Sequence, residues 1–281
     1  MTDDEAATLL VPKPWLDEMV ELLEEKRQII LYGPPGTGKT FLAQRVAEIA
    51  ANPDNVTLVQ FHPAYSYEDF FEGYRPVPGA NGQVGFELKA GPFRRVVDDA
   101  REHPDQAYVL IVDEINRANL AKVFGELYFL LEYRDAAIDL LYSERDAPPF
   151  TLPRNVYLIG TMNTADRSIA LVDAAMRRRF AFLSMHPDDA HVRGVLRSWL
   201  QARSRDDRPA RLLDALNQRI PDGDFKVGPS YLMNDASASE AGLDRIWRTS
   251  ILPLLEEFHY GDGVNVTSRY GLPTLAAVVD P

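Results

Sequence analysis

The 281-residue chain contains no cysteine, which excludes a disulfide framework, a thiol nucleophile and a Cys-ligated zinc site. Histidine is scarce: His62, His103, His186, His191 and His259 show no metal-ligand spacing such as H-E-x-x-H, so zinc chemistry is not expected. Positive charge is also short. Thirty Lys plus Arg stand against 42 Asp plus Glu, a net charge of −12, the wrong sign for a domain that grips nucleic acid through its overall field. Any contact with nucleic acid must be local or made through a partner. No apolar run approaches the roughly 18 residues of a membrane span, and the opening MTDDEAATLL is acidic where a secretory leader is basic. A soluble cytoplasmic protein with no membrane contact is expected. Repeats and low-complexity tracts are absent too, which removes solenoids. What remains is 46% hydrophobic and 26% charged, enough apolar side chain for a core and far from a disordered composition. The length suits one large domain with a smaller one.

Apolar residues Trp15, Leu16, Met19, Val20, Leu22 and Leu23 follow the punctuation of Pro12 and Pro14 at the spacing of one helix face. Gln28 to Tyr32 then reads as a short strand that stops in glycine and proline, and Phe41 to Ala51 resumes a helical pattern. Further strand-length runs lie at Val56 to Phe61, Tyr108 to Val112, Val156 to Ile159 and Phe180 to Met185. Strands alternating with helices predict an α/β fold with a mostly parallel sheet covered on both faces. Leu120, Val123, Phe124, Leu127, Leu130 and Leu131 mark one helix face, and Ala136 to Leu152 reads as a hairpin with Pro148 and Pro149 near its return. After Met185 the stretches are helical with no clear strand. The expected division is therefore a large nucleotide-binding part, 1–186, and a smaller helical part, 187–281.

Four elements carry chemistry. GPPGTGKT, comprising Gly33, Pro34, Pro35, Gly36, Thr37, Gly38, Lys39 and Thr40, fits G-x-x-x-x-G-K-[ST] between a predicted strand and a predicted helix. Its glycines let backbone N–H groups face phosphates, Lys39 reaches the β- and γ-phosphates, and the Thr40 hydroxyl is a candidate Mg²⁺ ligand. YVLIVDE ends a strand in two carboxylates. Coupled to a phosphate loop, Asp113 is the candidate for the Mg²⁺ shell and Glu114 for polarising the attacking water, although alone such a pair caps a loop more often than it catalyses. Asn163 closes the apolar run of IGTMNTADRS; its amide can bond water and γ-phosphate, or else form an Asx turn with Asp166. Finally, DAAMRRRF brings Arg177, Arg178 and Arg179 together before a strand. Cations there suit a helix C-terminus, but three exceed what capping requires, and a guanidinium can stabilise phosphoryl charge in an adjacent subunit. Arg178 and Arg179 are favoured for that role, with Arg117 of DEINRAN a weaker candidate.

This order of elements, followed by a helical lid, resembles the AAA+ ring proteins. More narrowly, FHPAYSYEDFFEGYRP, VDEINRANLAKVFGELYFLLE, MNTADRS and DAAMRRRF resemble the McrB-type AAA+ family, the motor of modification-dependent (type IV) restriction systems, over roughly residues 26–262. MNTADR looks like that family's MNTxxR signature and brings in Arg167 as a candidate. The resemblance implies an AAA+ P-loop NTPase fold, a homo-oligomeric and hexameric ring, Mg²⁺-dependent GTP hydrolysis, an McrC-like nuclease partner and DNA translocation by the full complex. Two departures stand out. Only 32 residues precede Gly33, where the family normally places a DNA-reading domain, so a motor fragment or a member without that reader is expected. In addition, KVGPSYLM offers Ser230 and Tyr231 where many lids carry a sensor arginine.

Base choice stays open at this level. No N-K-x-D string is present, so motifs alone favour ATP while the resemblance favours GTP. A MoxR or dynein-related AAA+ ATPase that remodels a protein partner is the alternative, and a module whose slow hydrolysis only times assembly is a third. The aromatic segment Phe61 to Pro76 fits either core packing or a pore-facing loop.

Overall fold

The computed structural model describes residues 2–78, 83–144, 146–165 and 174–280. Two helices, α1 (Asp3–Leu9) and α2 (Lys13–Lys26), lead into β1 (Gln28–Gly33), and the phosphate loop then opens α3 (Lys39–Ala50). After β2 (Val56–Gln60) and the short α4 (Tyr67–Phe70), the chain forms β3 (Glu72–Pro78), β4 (Val84–Ala90) and α5 (Pro92–Glu102). The large part continues through β5 (Tyr108–Asp113), α6 (Leu120–Phe124), α7 (Leu127–Glu132), β6 (Val156–Asn163), α8 (Ala174–Arg179) and β7 (Ala181–Ser184). Seven helices follow: α9 (Ala190–Arg193), α10 (Val195–Gln201), α11 (Arg208–Arg219), α12 (Glu240–Ile246), α13 (Leu252–Phe258), α14 (Val266–Tyr270) and α15 (Leu272–Val279).

All five expected strands form, in the order β2-β5-β6-β1-β7, with every neighbouring pair parallel. The apolar runs of β1, β5 and β6 follow from burial on both sides, because successive side chains alternate between faces, whereas β2 at the sheet edge is only half-buried. Ile29, Leu31, Val109, Ile111 and Ile159 pack with Leu16, Met19, Leu23, Leu42 and Val46 of α2 and α3. Ile30, Leu110, Val112 and Leu158 face the other way, onto Phe93 and Val97 of α5 and Phe124 and Leu127 beyond it. The C-terminal helices gather a separate core around Trp247, Leu213, Leu216, Tyr270 and Leu275. Val192 of α9 belongs instead to the core of the sheet, so the first helix after the strands still leans on the large part.

Local structure departs from the sequence pattern in three places. The helix face from Leu120 to Leu131 is divided between α6 and α7, because Gly125 takes φ +49° and ends the first turn. Ala136 to Leu152 is not a ladder: Ile138 and Phe150 form an isolated bridge, and the prolines cannot donate to a sheet. The hairpin lies elsewhere, in β3 and β4, which pair antiparallel in the register Tyr74↔Leu88 and Pro76↔Phe86. Within the aromatic segment, Phe61, Tyr67, Phe70 and Phe71 are buried and Tyr74 is exposed, so core packing accounts for most of it.

Candidate active site

The strand order puts the C-terminal ends of β1, β5 and β6 side by side, and a parallel sheet offers its binding crevice at that end. From β1 the chain turns through Pro34–Gly38 into α3, whose free N–H groups make an anion site. Gly36 has φ +79°, a conformation glycine adopts without strain. Lys39 is buried, and its Nζ donates to the carbonyls of Gly33 at 2.9 Å and Pro34 at 2.8 Å. Burial lowers its pKa to about 8, with Glu114 and Asp113 working in the opposite direction.

Facing the loop, Asp113 Oδ1 accepts from the Thr40 hydroxyl and from the Thr161 hydroxyl, each at 2.6 Å. Thr161 also accepts the Glu114 N–H at 3.2 Å, so one hydroxyl on β6 fixes the end of β5. Glu114 sits at φ +54°, ψ +44°, a left-handed conformation that costs a non-glycine residue energy and aims its side chain away from the strand. Asn163 donates its amide to Glu114 Oε1, Arg117 Nε lies 3.4 Å from Oε2, and burial raises the Glu114 pKa. Asn116 supports the pair from behind, donating to the Asn163 carbonyl at 3.1 Å.

This donor set fits magnesium: the Thr40 hydroxyl and the Asp113 carboxylate converge, and Mg²⁺ takes one or two protein oxygens when phosphates and water supply the rest. Among the described residues no group of three or more His, Asp or Glu is placed to hold a metal.

The structure thus brings together the phosphate loop, Asp113, Glu114, Asn163 and Arg117. The arginine cluster is elsewhere. Register pairs Ile29 with Ala181 and Tyr32 with Ser184, so Arg177–Arg179, which precede β7, lie by the N-terminal end of β1, opposite the phosphate loop. There the Arg179 carbonyl accepts from buried Gln28 at 2.8 Å. Arg179, the other favoured candidate for a neighbouring site, is held differently from Arg178. Its side chain is only 9% exposed and pairs with Glu132 at 2.9 Å, and its guanidinium lies over the Tyr128 ring at 4.8 Å, contacts that tie it into its own core. Arg178 is 62% exposed while touching the same Glu132 at 3.0 Å, and Arg177 is exposed as well. Arg167, with Asp166, lies outside the described residues.

The helical part reaches the phosphate loop through its backbone. Gly228 N–H donates to the Pro35 carbonyl at 3.1 Å and Ser230 N–H to the Gly36 carbonyl at 2.9 Å. A Cβ on Gly228 would fall 2.1 Å from the Gly36 carbonyl carbon, and one on Gly36 would fall 2.6 Å from the Tyr231 ring. Behind this contact His186 bonds the Gly223 carbonyl at 2.8 Å and Lys226 pairs with Asp188. Sequence reasoning missed Thr161, Asn116 and Gly228. A polar residue inside an apolar strand was the available signal for Thr161; the other two depend on contacts far along the chain.

A phosphate loop, an acid pair on a neighbouring strand, a polar amide beside it and a helical lid over the loop define a P-loop NTPase of the AAA class. Comparison with known proteins agrees. Residues 28–180 match the AAA domain (dynein-related subfamily), and residues 208–267 match the McrB alpha-helical lid domain. The chain belongs to this family, with an McrB-type AAA domain and lid. It is 42% identical to the Type IV methyl-directed restriction enzyme EcoKMcrB subunit of Escherichia coli over 92% of its own length and 60% of that protein. It is 28% identical to the Type II restriction enzyme BsuMI component YdiS of Bacillus subtilis, across 91% of this chain and 86% of the relative. Human neuron navigator 2 is 25% identical over 88% of this chain, a match confined to 10% of that protein. Among the described residues no helix is long and apolar enough to cross a membrane.

Proposed function

We propose that the chain is the motor of a McrB-like restriction complex, a Mg²⁺-dependent NTPase that hydrolyses GTP in preference to ATP and works as a ring. Residues 1–186 form the nucleotide-binding part and 187–281 the lid. One observation carries this reading: the acid pair and Asn163 converge beside the phosphate loop, whereas Arg178 is exposed beyond the opposite end of the sheet. Six residues of β1, at about 3.3 Å each, separate the two ends. Arg178 therefore completes a neighbour's site and not its own. The preference for GTP, the hexameric ring, the McrC-like nuclease partner and DNA translocation rest on the McrB resemblance and on the restriction enzymes among the relatives.

In the reaction, Lys39 leaves the Gly33 and Pro34 carbonyls for the β- and γ-phosphates. Thr40 and Asp113 would hold magnesium, which would supply Lewis-acid neutralisation of phosphate charge. The γ-phosphate gives the Asn163 amide an acceptor in place of Glu114, and the freed carboxylate orients water in line and takes its proton. A guanidinium from the adjacent subunit meets the charge on the transferring group. The lid, bonded to the loop at Gly228 and Ser230, then converts the change in occupancy into motion between subunits.

Turnover of GTP and ATP, measured together with particle size and with or without an McrC-type subunit, tests this. GTP turnover that rises with assembly and with the nuclease subunit supports it. ATP turnover indifferent to that subunit would instead favour a remodelling ATPase, the reading to which the dynein-related subfamily match lends weight.

A further inference from the structure

Beside the phosphate loop is a cavity of about 600 Å³, within the range of small-molecule sites. It runs from Gly36–Gly38 between the end of α1 and the helical part, past Leu10, Phe41, Met185, Trp199 and Met233, and reaches Arg203. Most of this lining is apolar, which suits the faces of a flat base. Among the described residues that line the cavity, Arg203 is the one charged side chain and none is a carboxylate. Its guanidinium is held in place: it stacks 4.2 Å above the Trp199 ring, and its Nη1 lies 3.4 Å from the Trp199 carbonyl. Trp199 is itself 8% exposed, so the platform under the guanidinium is rigid.

The geometry points to Arg203 as the residue that reads the nucleotide base by donating hydrogen bonds to the O6 and N7 edge of guanine. The argument is one of donor and acceptor pattern. Guanine presents two acceptors on that edge, which match the paired N–H groups of a guanidinium. Adenine presents N7 beside an amine, and the amine opposes a cationic donor. Stacking on Trp199 leaves the outward N–H groups of Arg203 free to donate and limits the rotamer entropy lost on binding. This inference deepens the GTP reading above and rests on it.

The test is equilibrium binding of GTP, ATP, 7-deaza-GTP and inorganic tripolyphosphate to the parent chain and to Arg203→Ala and Arg203→Gln. The parent should favour GTP and lose affinity for 7-deaza-GTP, which lacks N7. Arg203→Ala should weaken GTP by roughly 5- to 150-fold, with ATP changed by less than about twofold. Arg203→Gln should move the preference toward ATP, because an amide pairs with N6 and N7 of adenine. Unchanged tripolyphosphate affinity shows that the phosphate site is intact in each variant. If the parent favours GTP but Arg203→Ala keeps the same GTP-to-ATP ratio, Arg203 is not the reader and the GTP reading survives. If the variants do not fold, equal binding of GTP and 7-deaza-GTP by the parent overturns the inference. A parent without preference for GTP overturns both.

Discussion

Lys39 carries its charge where burial makes charge expensive. Burial holds its pKa near 8 against an ordinary 10.5, so between those values the unfolded chain binds a proton that the folded chain does not. Stability of the empty protein therefore gains a contribution that rises with pH across that window and is flat below it. Melting of the parent and of Lys39→Met from pH 7 to 10 should show the parent gaining on the variant as pH increases; parallel curves would contradict the burial argument. A triphosphate restores the charge, so binding at pH 9 should take up a proton that Lys39→Arg does not take up. Calorimetry in buffers of different ionisation heat reads this directly. Lys39→Ala should abolish nucleotide binding. Glu114→Gln should keep binding and lose about 10²- to 10⁴-fold in turnover, the usual range for removing a general base; a variant with parental turnover would remove Glu114 from the mechanism. These residues were legible because each belongs to a local string with a fixed chemical task. Thr161 was not, since its hydroxyl acquires meaning only when β6 pairs with β5 and meets both Asp113 and the Glu114 N–H.

At the level of elements, the contact between the lid segment and the phosphate loop depends on two backbones meeting without an intervening side chain. Gly228→Ala would place a methyl 2.1 Å from the Gly36 carbonyl carbon, an overlap only backbone movement can relieve. Nucleotide affinity should fall at least about tenfold, with a stability loss of roughly 1–3 kcal/mol, the usual cost of overpacking. Titration and thermal melting check both; parental affinity would mean that the loop does not need the lid backbone. The inner strands β1, β5 and β6 were readable from their apolar runs because a doubly covered strand leaves no polar face, and the edge strands β2 and β7 from shorter apolar stretches. The β3–β4 hairpin was not, because Tyr74, Val84 and Phe86 are exposed and give no pattern of burial. The α6–α7 break was concealed by apolar spacing that continues through Gly125 although the backbone does not. Arg179 resembled its exposed neighbours in sequence, and its burial follows from where Glu132 and Tyr128 end up.

The whole molecule has two chemical ends, a phosphate loop with its acid pair at one and exposed Arg178 at the other. The proposed ring would place each arginine beside the next phosphate loop, which would give assembly a direct effect on rate. Turnover per subunit should therefore rise with protein concentration in the parent, whereas Arg178→Ala should remain slow at every concentration while still binding nucleotide; a concentration-independent rate in the parent would argue for a self-sufficient site. The present chain spans 60% of the restriction enzyme subunit it matches. The most direct measurement mixes two inactive variants, Arg178→Ala and Glu114→Gln. At equal amounts, about a quarter of randomly formed interfaces join an intact Glu114 to an intact Arg178, because the two lesions lie in different halves of the site. Turnover should recover toward that fraction of the parental rate. If activity stays absent at every mixing ratio while the two proteins demonstrably assemble together, the site is not shared between subunits.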